Sequence, residues 1–332
     1  MRLCLWSDRT FPLKALVFWT ITTPAFAQTA TTGACPSPPQ KHFDHVLIVV
    51  LENQNYESAI GSDLLKKLSL KGAVFSNFGN LYHHSYPNYL AMIAGSDFNT
   101  HKRLNSDAQV NFKEDNEHRT VGDLLNWRNY AEDYPASSTD QKPFLGDSKP
   151  KTKYARRHVP FLSFQEVQTK SFHNVVSVNT RANDNAFVTD FGSFIADAQK
   201  HPLPEYMFYS PNLDDDGHDP VSNPQVGLTK ASNWLFTFLT TWLHFDEKEW
   251  VPKDDQLKTT LVIVTFDESE GNKKPERLYT VFLGSMVKAG EATAPYNHYS
   301  VLRTIECNFG ILNPLHEQSG DGTASVITGI WK

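Results

Sequence analysis

Two stretches limit the possible folds of this chain more than any others. His45-Val46-Leu47-Ile48-Val49-Val50-Leu51 and Thr260-Leu261-Val262-Ile263-Val264-Thr265-Phe266 are unbroken apolar runs rich in β-branched residues. A strand with one wet face alternates apolar and polar residues, whereas a short continuous run reads as a strand buried on both faces of a parallel sheet. Shorter apolar segments at 74–78, 205–209 and 279–283 predict further strands. Helical spacing predicts helices over 62–72, with a glycine stop, over 185–200, and over 228–245. The last is apolar at Ala231, Trp234, Leu235, Phe238, Leu239, Trp242 and Leu243, which makes it a core helix. A capping-box-like start at Thr120 opens another, and residues 299–309 a last one with His298 at its start. The alternation predicts an α/β protein: a largely parallel sheet with helices on both faces.

The first 27 residues read as a secretory signal. Arg2, Arg9 and Lys14 precede a short apolar run, and Ala25-Phe26-Ala27 offers a small-x-small cleavage site. The run is too short to span a bilayer, and nothing later approaches the length needed, so no stable membrane insertion is expected. Residues 28–41 read as a flexible leader and 42–332 as one catalytic domain. The full chain carries a formal −6; losing Arg2, Arg9, Lys14 and Asp8 removes a net +2 and leaves −8. Such acidity argues against a nucleic-acid partner. One basic segment runs the other way: Lys142, Lys149, Lys151, Lys153, Arg156 and Arg157, with only Asp147 among them. It lies in or beside a Pro-, Lys-, Ser- and Asp-rich stretch, 132–160, that reads as a surface excursion, either a solvated loop or a funnel for an anion. Of the cysteines, Cys35 and Cys307 outlast the signal and could tie the N-terminal arm to the last helix.

The chemistry centres on His83-His84-Ser85-Tyr86-Pro87-Asn88-Tyr89-Leu90-Ala91. Leu90 to Ala94 followed by Gly95 predicts a buried helix with Ser85 as its N-cap and Pro87 in the first turn. A serine there is commonly just a cap. It also meets unpaired backbone N–H groups and the positive end of the helix dipole, which suits a hydroxyl that must hold a phosphoryl group. Three polar clusters each follow directly on a strand: Glu52-Asn53, the run from Asp214 to Asp219, and Asp267-Glu268. Any one alone reads as a turn. In open α/β sheets, however, sites form at the carboxyl ends of strands, and crowded carboxylates repel unless a cation sits among them. The sharper reading is therefore one divalent metal ion beside Ser85. Hard oxygen donors suit Mg²⁺, Ca²⁺ or Mn²⁺, and histidines would move the set toward zinc. Asn88, one turn past Ser85, could donate to a phosphoryl oxygen. His218 could protonate the leaving oxygen or complete a metal site, and His298 is a further catalytic candidate. His84 and His158 stand evenly between ordinary packing and function.

Several blocks resemble the secreted bacterial and fungal phosphoesterase family of acid phosphatases and phospholipases C, within the alkaline phosphatase superfamily. They are Leu51 to Tyr56, Ser85 to Ala91, Tyr209-Ser210-Pro211-Asn212 through Asp216-Gly217-His218-Asp219, Val264 to Glu268, and His298 to Thr304. The resemblance implies that Glu52, Asn53, Asp267 and Glu268 are metal ligands and that Ser85 is a nucleophile forming a phosphoserine. The Ser-x-Pro-Asn spacing also resembles the Thr-x-Pro-Asn of nucleotide pyrophosphatases, which supports the role given to Asn88. Two-metal members of the superfamily carry an Asp-His pair where this chain has Asp267-Glu268, and an Asp-x-x-x-His pair that Asp214 and His218 could imitate. The Glu points to a single metal. The implied activity is a phosphomonoesterase of acid-phosphatase type acting on phosphate esters. The alternatives are a phospholipase C-type diesterase, with phospholipid as substrate, or an exported binding protein without turnover.

Overall fold

The computed structural model describes residues 33–103, 109–135, 140–147, 153–178, 202–219, 222–271, 276–316 and 320–332, together with the backbone of Ala25 and Phe26. The helix expected at 185–200 lies outside the described residues. The two constraining runs form neighbouring central strands, β1 (His45–Leu51) and β6 (Thr260–Phe266). They pair in parallel over their whole length, from His45↔Thr260 to Leu51↔Phe266. On the other side of β1 come β5 (Tyr206–Ser210), β3 (Trp127–Glu132) and β4 (Val175–Val178), all parallel. Beyond β6 come β7 (Thr280–Leu283), β2 (Ala73–Phe75) and β8 (Gly290–Ala292). Here β7 runs antiparallel to both β6 and β2, so the sheet is mixed rather than uniformly parallel. Ala25–Phe26 adds a two-residue edge strand beside β8, one that cleavage after Ala27 would remove.

Alternation along the buried strands divides the core in two. Val46, Ile48 and Val50 join Leu261 and Ile263 on one face. Leu47, Val49 and Leu51 join Val262, Val264 and Phe266 on the other. The first face is covered by α3 (Ser85–Ala94) and α5 (His298–Asn308), through residues such as Tyr89, Leu90, Leu302 and Ile305. The second is covered by α1 (Tyr56–Ile60), α2 (Asp63–Lys71) and α4 (Pro224–Thr237), through Ala59, Leu65, Leu68, Leu228 and Leu235. The apolar set expected at 228–245 is buried as the spacing requires, but the α-helix ends at Thr237 and continues as a π-helical turn, Phe238–Trp242.

Local signals were sound where their partners are local. Thr120 and Asp123 do form a capping box, around a single 3-10 turn and not a longer helix. Gly95 closes α3 at a left-handed φ of 67°, and a Cβ there would lie 2.4 Å from the Asp321 carboxyl, so glycine is required twice over. The 132–160 excursion departs from expectation at its far end, where Tyr154, Ala155, Arg156 and His158 to Pro160 are buried.

Cys35 and Cys307 are disulfide-bonded, which anchors part of the expected leader to α5. The buried Arg303 adds to this by donating to the carbonyls of Gly33 (2.7 Å) and Leu312 (2.7 Å), while pairing with Glu306 (2.9 Å). The disulfide joins residues 272 apart in sequence, a loop whose closure is worth about 5 kcal/mol in the chain-entropy account. A Cys35→Ser, Cys307→Ser double variant is expected to melt roughly 10 °C below the parent in non-reducing thermal unfolding, and the two are expected to converge in reductant.

Candidate active site

The register of β1 on β6 builds the site. Because Leu51 lies opposite Phe266, the chain leaves both strands at the same height, and Asp267 N–H donates to Leu51 O (2.9 Å). Glu52 and Asp267 thus emerge side by side. Next to them β5 ends in the turn that carries Asp216, whose carbonyl accepts from Glu52 N–H (2.8 Å). Asn53 turns the chain at a φ of 46°, a left-handed geometry that asparagine tolerates. Its N–H donates to Asp267 Oδ1 (3.2 Å). With the amide nitrogen turned inward, Asn53 also donates to Asp267 Oδ1 (3.1 Å) and Glu52 Oε2 (3.2 Å).

Ser85 enters from the opposite element. It is the first residue of α3, not its N-cap; that place belongs to His84, whose φ of 83° is strained for a non-glycine residue. The kink aims the Ser85 hydroxyl at the acids: Oγ lies 2.9 Å from Glu52 Oε2 and 3.3 Å from Glu268 Oε1. Glu268 is gripped in turn by His84 N–H (3.2 Å) and the His83 ring (3.0 Å). Glu52, Asn53, Ser85, Asp267 and Glu268 therefore do meet at one point. Among the described residues, however, no group of three or more His, Cys, Asp and Glu has the arrangement of a ready metal cage.

Three other expected participants sit differently. Asn88 is fully buried, and its amide donates to the carbonyls of Tyr82 (3.0 Å) and His84 (3.2 Å) while accepting from Tyr82 N–H (3.3 Å). It holds the His83-His84 entry loop. His298 is buried under the site, with Nε2 2.8 Å from Asp267 O. A carbonyl only accepts, so Nε2 carries the proton, and burial pulls the ring down to about 4, keeping it neutral. His218 lies at the rim, half-exposed, 3.5 Å from the Asp219 carboxyl, with its N–H donating to Asp216 Oδ1 (2.9 Å). Asp214 faces outward to Lys153 (3.3 Å), so the buried acid of that loop is Asp216.

Two further residues lie against Glu52: Tyr89, given no role from the sequence, and His158, which the sequence left even between packing and function. Tyr89, one turn after Ser85, donates to Glu52 Oε1 (2.5 Å). The i, i+4 spacing from Ser85 was a usable signal for it. His158, from the buried end of the excursion, stacks on Tyr89 (5.0 Å between ring centres, 9° between planes) and brings Nε2 to 3.1 Å from Glu52 Oε1. Nothing local in the sequence distinguishes it. Beside it, Arg157 supplies the positive charge felt by Glu52 and Asp216.

Among the described residues a nine-strand mixed sheet is flanked by helices on both faces, a fold like that of the alkaline phosphatase superfamily. A solved protein of that superfamily from Vibrio parahaemolyticus superposes with a TM-score of 0.52 over 89% of this chain and 72% of its own, at 12% identity, a likeness of fold alone. The chain belongs to the Phosphoesterase family, which it matches over residues 62–312. A probable acid phosphatase of Kluyveromyces lactis is 29% identical over 294 residues, 86% of this chain and 62% of its own. A phosphatidylinositol-3-phosphatase of Mycobacterium tuberculosis is 30% identical over 297 residues, 87% of this chain and 83% of its own. The chain thus spans about three fifths of the length of the fungal relatives it matches.

Burial, then mutual repulsion, raises Glu52 (against Asp267), Asp267 (against Glu268) and Asp216 (against Glu52) above the ordinary carboxyl range. A carboxyl raised on folding binds its proton more tightly in the native state. Its stabilisation is therefore complete below the unfolded value, about pH 4, and is lost as pH rises through the raised one. Under chelator, urea midpoints are expected to fall between pH 5 and pH 8, and a Glu52→Gln, Asp216→Asn variant to show a flatter dependence.

Proposed function

We propose that this chain is a phosphomonoesterase of acid-phosphatase type that works through a phosphoserine at Ser85. The observation that carries the reading is the Ser85 hydroxyl at the mouth of α3, 2.9 Å from a carboxylate oxygen of Glu52. The names of the relatives, acid phosphatases and a phosphatidylinositol-3-phosphatase, support the same class. Ser85 Oγ, held by Glu52 and Glu268, attacks phosphorus and gives up its proton to water, and the ester oxygen leaves with its alcohol. His218, at the rim, protonates that oxygen. Water then cleaves the Ser–O–P bond, releasing inorganic phosphate and restoring the serine. Asn88 and His298 are positioning residues, for the entry loop and the Asp267-Glu268 turn respectively.

The residues also fit one divalent cation. Asp267 Oδ2 is buried without a hydrogen-bond partner. Were the Asn53 carbonyl oxygen turned inward, three oxygens would lie 3.1 and 3.2 Å apart. That is close to the roughly 3 Å between neighbouring oxygens around a cation bound at about 2.1 Å. Glu52, Asn53, Asp267 and Glu268 would hold it. When bound, it would neutralise phosphoryl charge and lower the hydroxyl pKa. We read residues 1–27 as an export signal and 42–332 as one catalytic domain.

Phosphate release from p-nitrophenyl phosphate tests the proposal. Ser85→Ala is expected to lose activity on the order of 10³-fold or more at an unchanged melting temperature. Chelator is expected to inactivate the parent, with recovery on adding Mg²⁺, Mn²⁺ or Zn²⁺. An active Ser85→Ala enzyme excludes the mechanism, and turnover of phosphatidylcholine in preference to monoesters would reassign it to the diesterases.

A further inference from the structure

The two oxygens of Glu52 are used unequally. Oε2 faces Ser85, whereas Oε1 points into the core, where Tyr89 Oη donates to it at 2.5 Å and His158 Nε2 lies at 3.1 Å. The two rings are stacked, so each limits the rotation of the other. All three side chains are buried. From this geometry we infer that Tyr89 and His158 are positioning residues: a clamp that holds Glu52 by its inner oxygen and so presents the outer one to Ser85.

The terminal torsion of a glutamate is broad and roughly two-fold, so an unclamped carboxylate would share its time between orientations. Glu52 is buried, so protein groups fix it, and the hydroxyl of Tyr89 does so with one hydrogen bond. His158 extends the arrangement. Its Nδ1 faces Asp216 Oδ2 at 4.0 Å, and both ring nitrogens and that oxygen lack a hydrogen-bond partner. Asp216 also accepts from His218 N–H (2.9 Å), so the clamp ties the inner side of Glu52 to the loop that carries the rim histidine. Glu306 and Asp321 form the other buried acid pair, and they lie instead against Arg303 and the end of α3, where their work is to hold the chain.

The inference rests on the phosphatase reading, and the experiment separates the two. The chain and its Ser85→Ala, Tyr89→Phe, His158→Gln and His158→Leu variants are assayed on p-nitrophenyl phosphate, and Mn²⁺ is titrated against each while melting temperature is followed. Loss of a partner that orients a ligand typically costs 10–100-fold. Tyr89→Phe is expected to lower kcat by about that factor with KM little changed, and to raise the Mn²⁺ midpoint similarly. His158→Gln, whose amide can still reach Glu52, is expected to retain more of both than His158→Leu. A merely structural role would lower melting temperatures and leave kcat and the midpoint where they were. Should Tyr89→Phe fail to fold, the Gln and Leu pair decides. Tyr89→Phe equal to the parent in both measurements, with Ser85→Ala inactive, overturns the clamp and leaves the phosphatase standing. An active Ser85→Ala overturns the phosphatase, and the Mn²⁺ midpoint then decides whether Glu52 is held as stated.

Discussion

The parallel pairing of β1 with β6 is the constraint from which the rest of the site follows. Two strands in register from His45↔Thr260 to Leu51↔Phe266 must release their chains at one level. Whatever residues follow are then neighbours, although more than two hundred positions separate them. Both faces of both strands are apolar, so that register is fixed by close packing of each side chain into its own half of the core. The same interactions that make the core therefore set Glu52 beside Asp267. No loop has to be trained into place to do it.

What this placement costs is visible in the carboxyls. Glu52, Asp216 and Asp267 are each buried, each beside another acid, and each held toward the protonated form. Such a cluster opposes folding wherever the groups are ionised, and packing over two core faces must offset it. The left-handed φ values of Asn53 and His84 belong to the same pattern: strain gathered where the chain bends around one serine. Sites of this kind are built by letting a well-packed scaffold carry a locally unfavourable arrangement.

The parts of the site that were legible are those that announce themselves at the end of an element. Acids directly after a continuous apolar strand, and a serine directly before a buried helix, are local patterns, and the residues so marked do converge. Asn88 was legible as important. Helical spacing says it lies one turn from Ser85, whereas only the folded loop shows Tyr82 and His84 carbonyls waiting for its amide. His298 is a similar case. A histidine at a helix start is equally able to serve a ligand or a backbone carbonyl, and here the Asp267 carbonyl lies above it. His158 stayed even between packing and function, since its basic, polar neighbourhood reads as surface and its partner Glu52 is over a hundred residues away.

By itself, then, the sequence determined the layered α/β class, the sheet's central strands, the serine and the acids at their ends, because these depend on periodicity and on chain direction alone. Tertiary structure decided the antiparallel turn of β7, the pairing of Cys35 with Cys307, the burial of the excursion's far end, and which side of Glu52 meets Ser85. Each of those is a contact between segments remote in the chain. No spacing rule reaches across such distances; close packing does, by leaving each side chain room for only one set of neighbours.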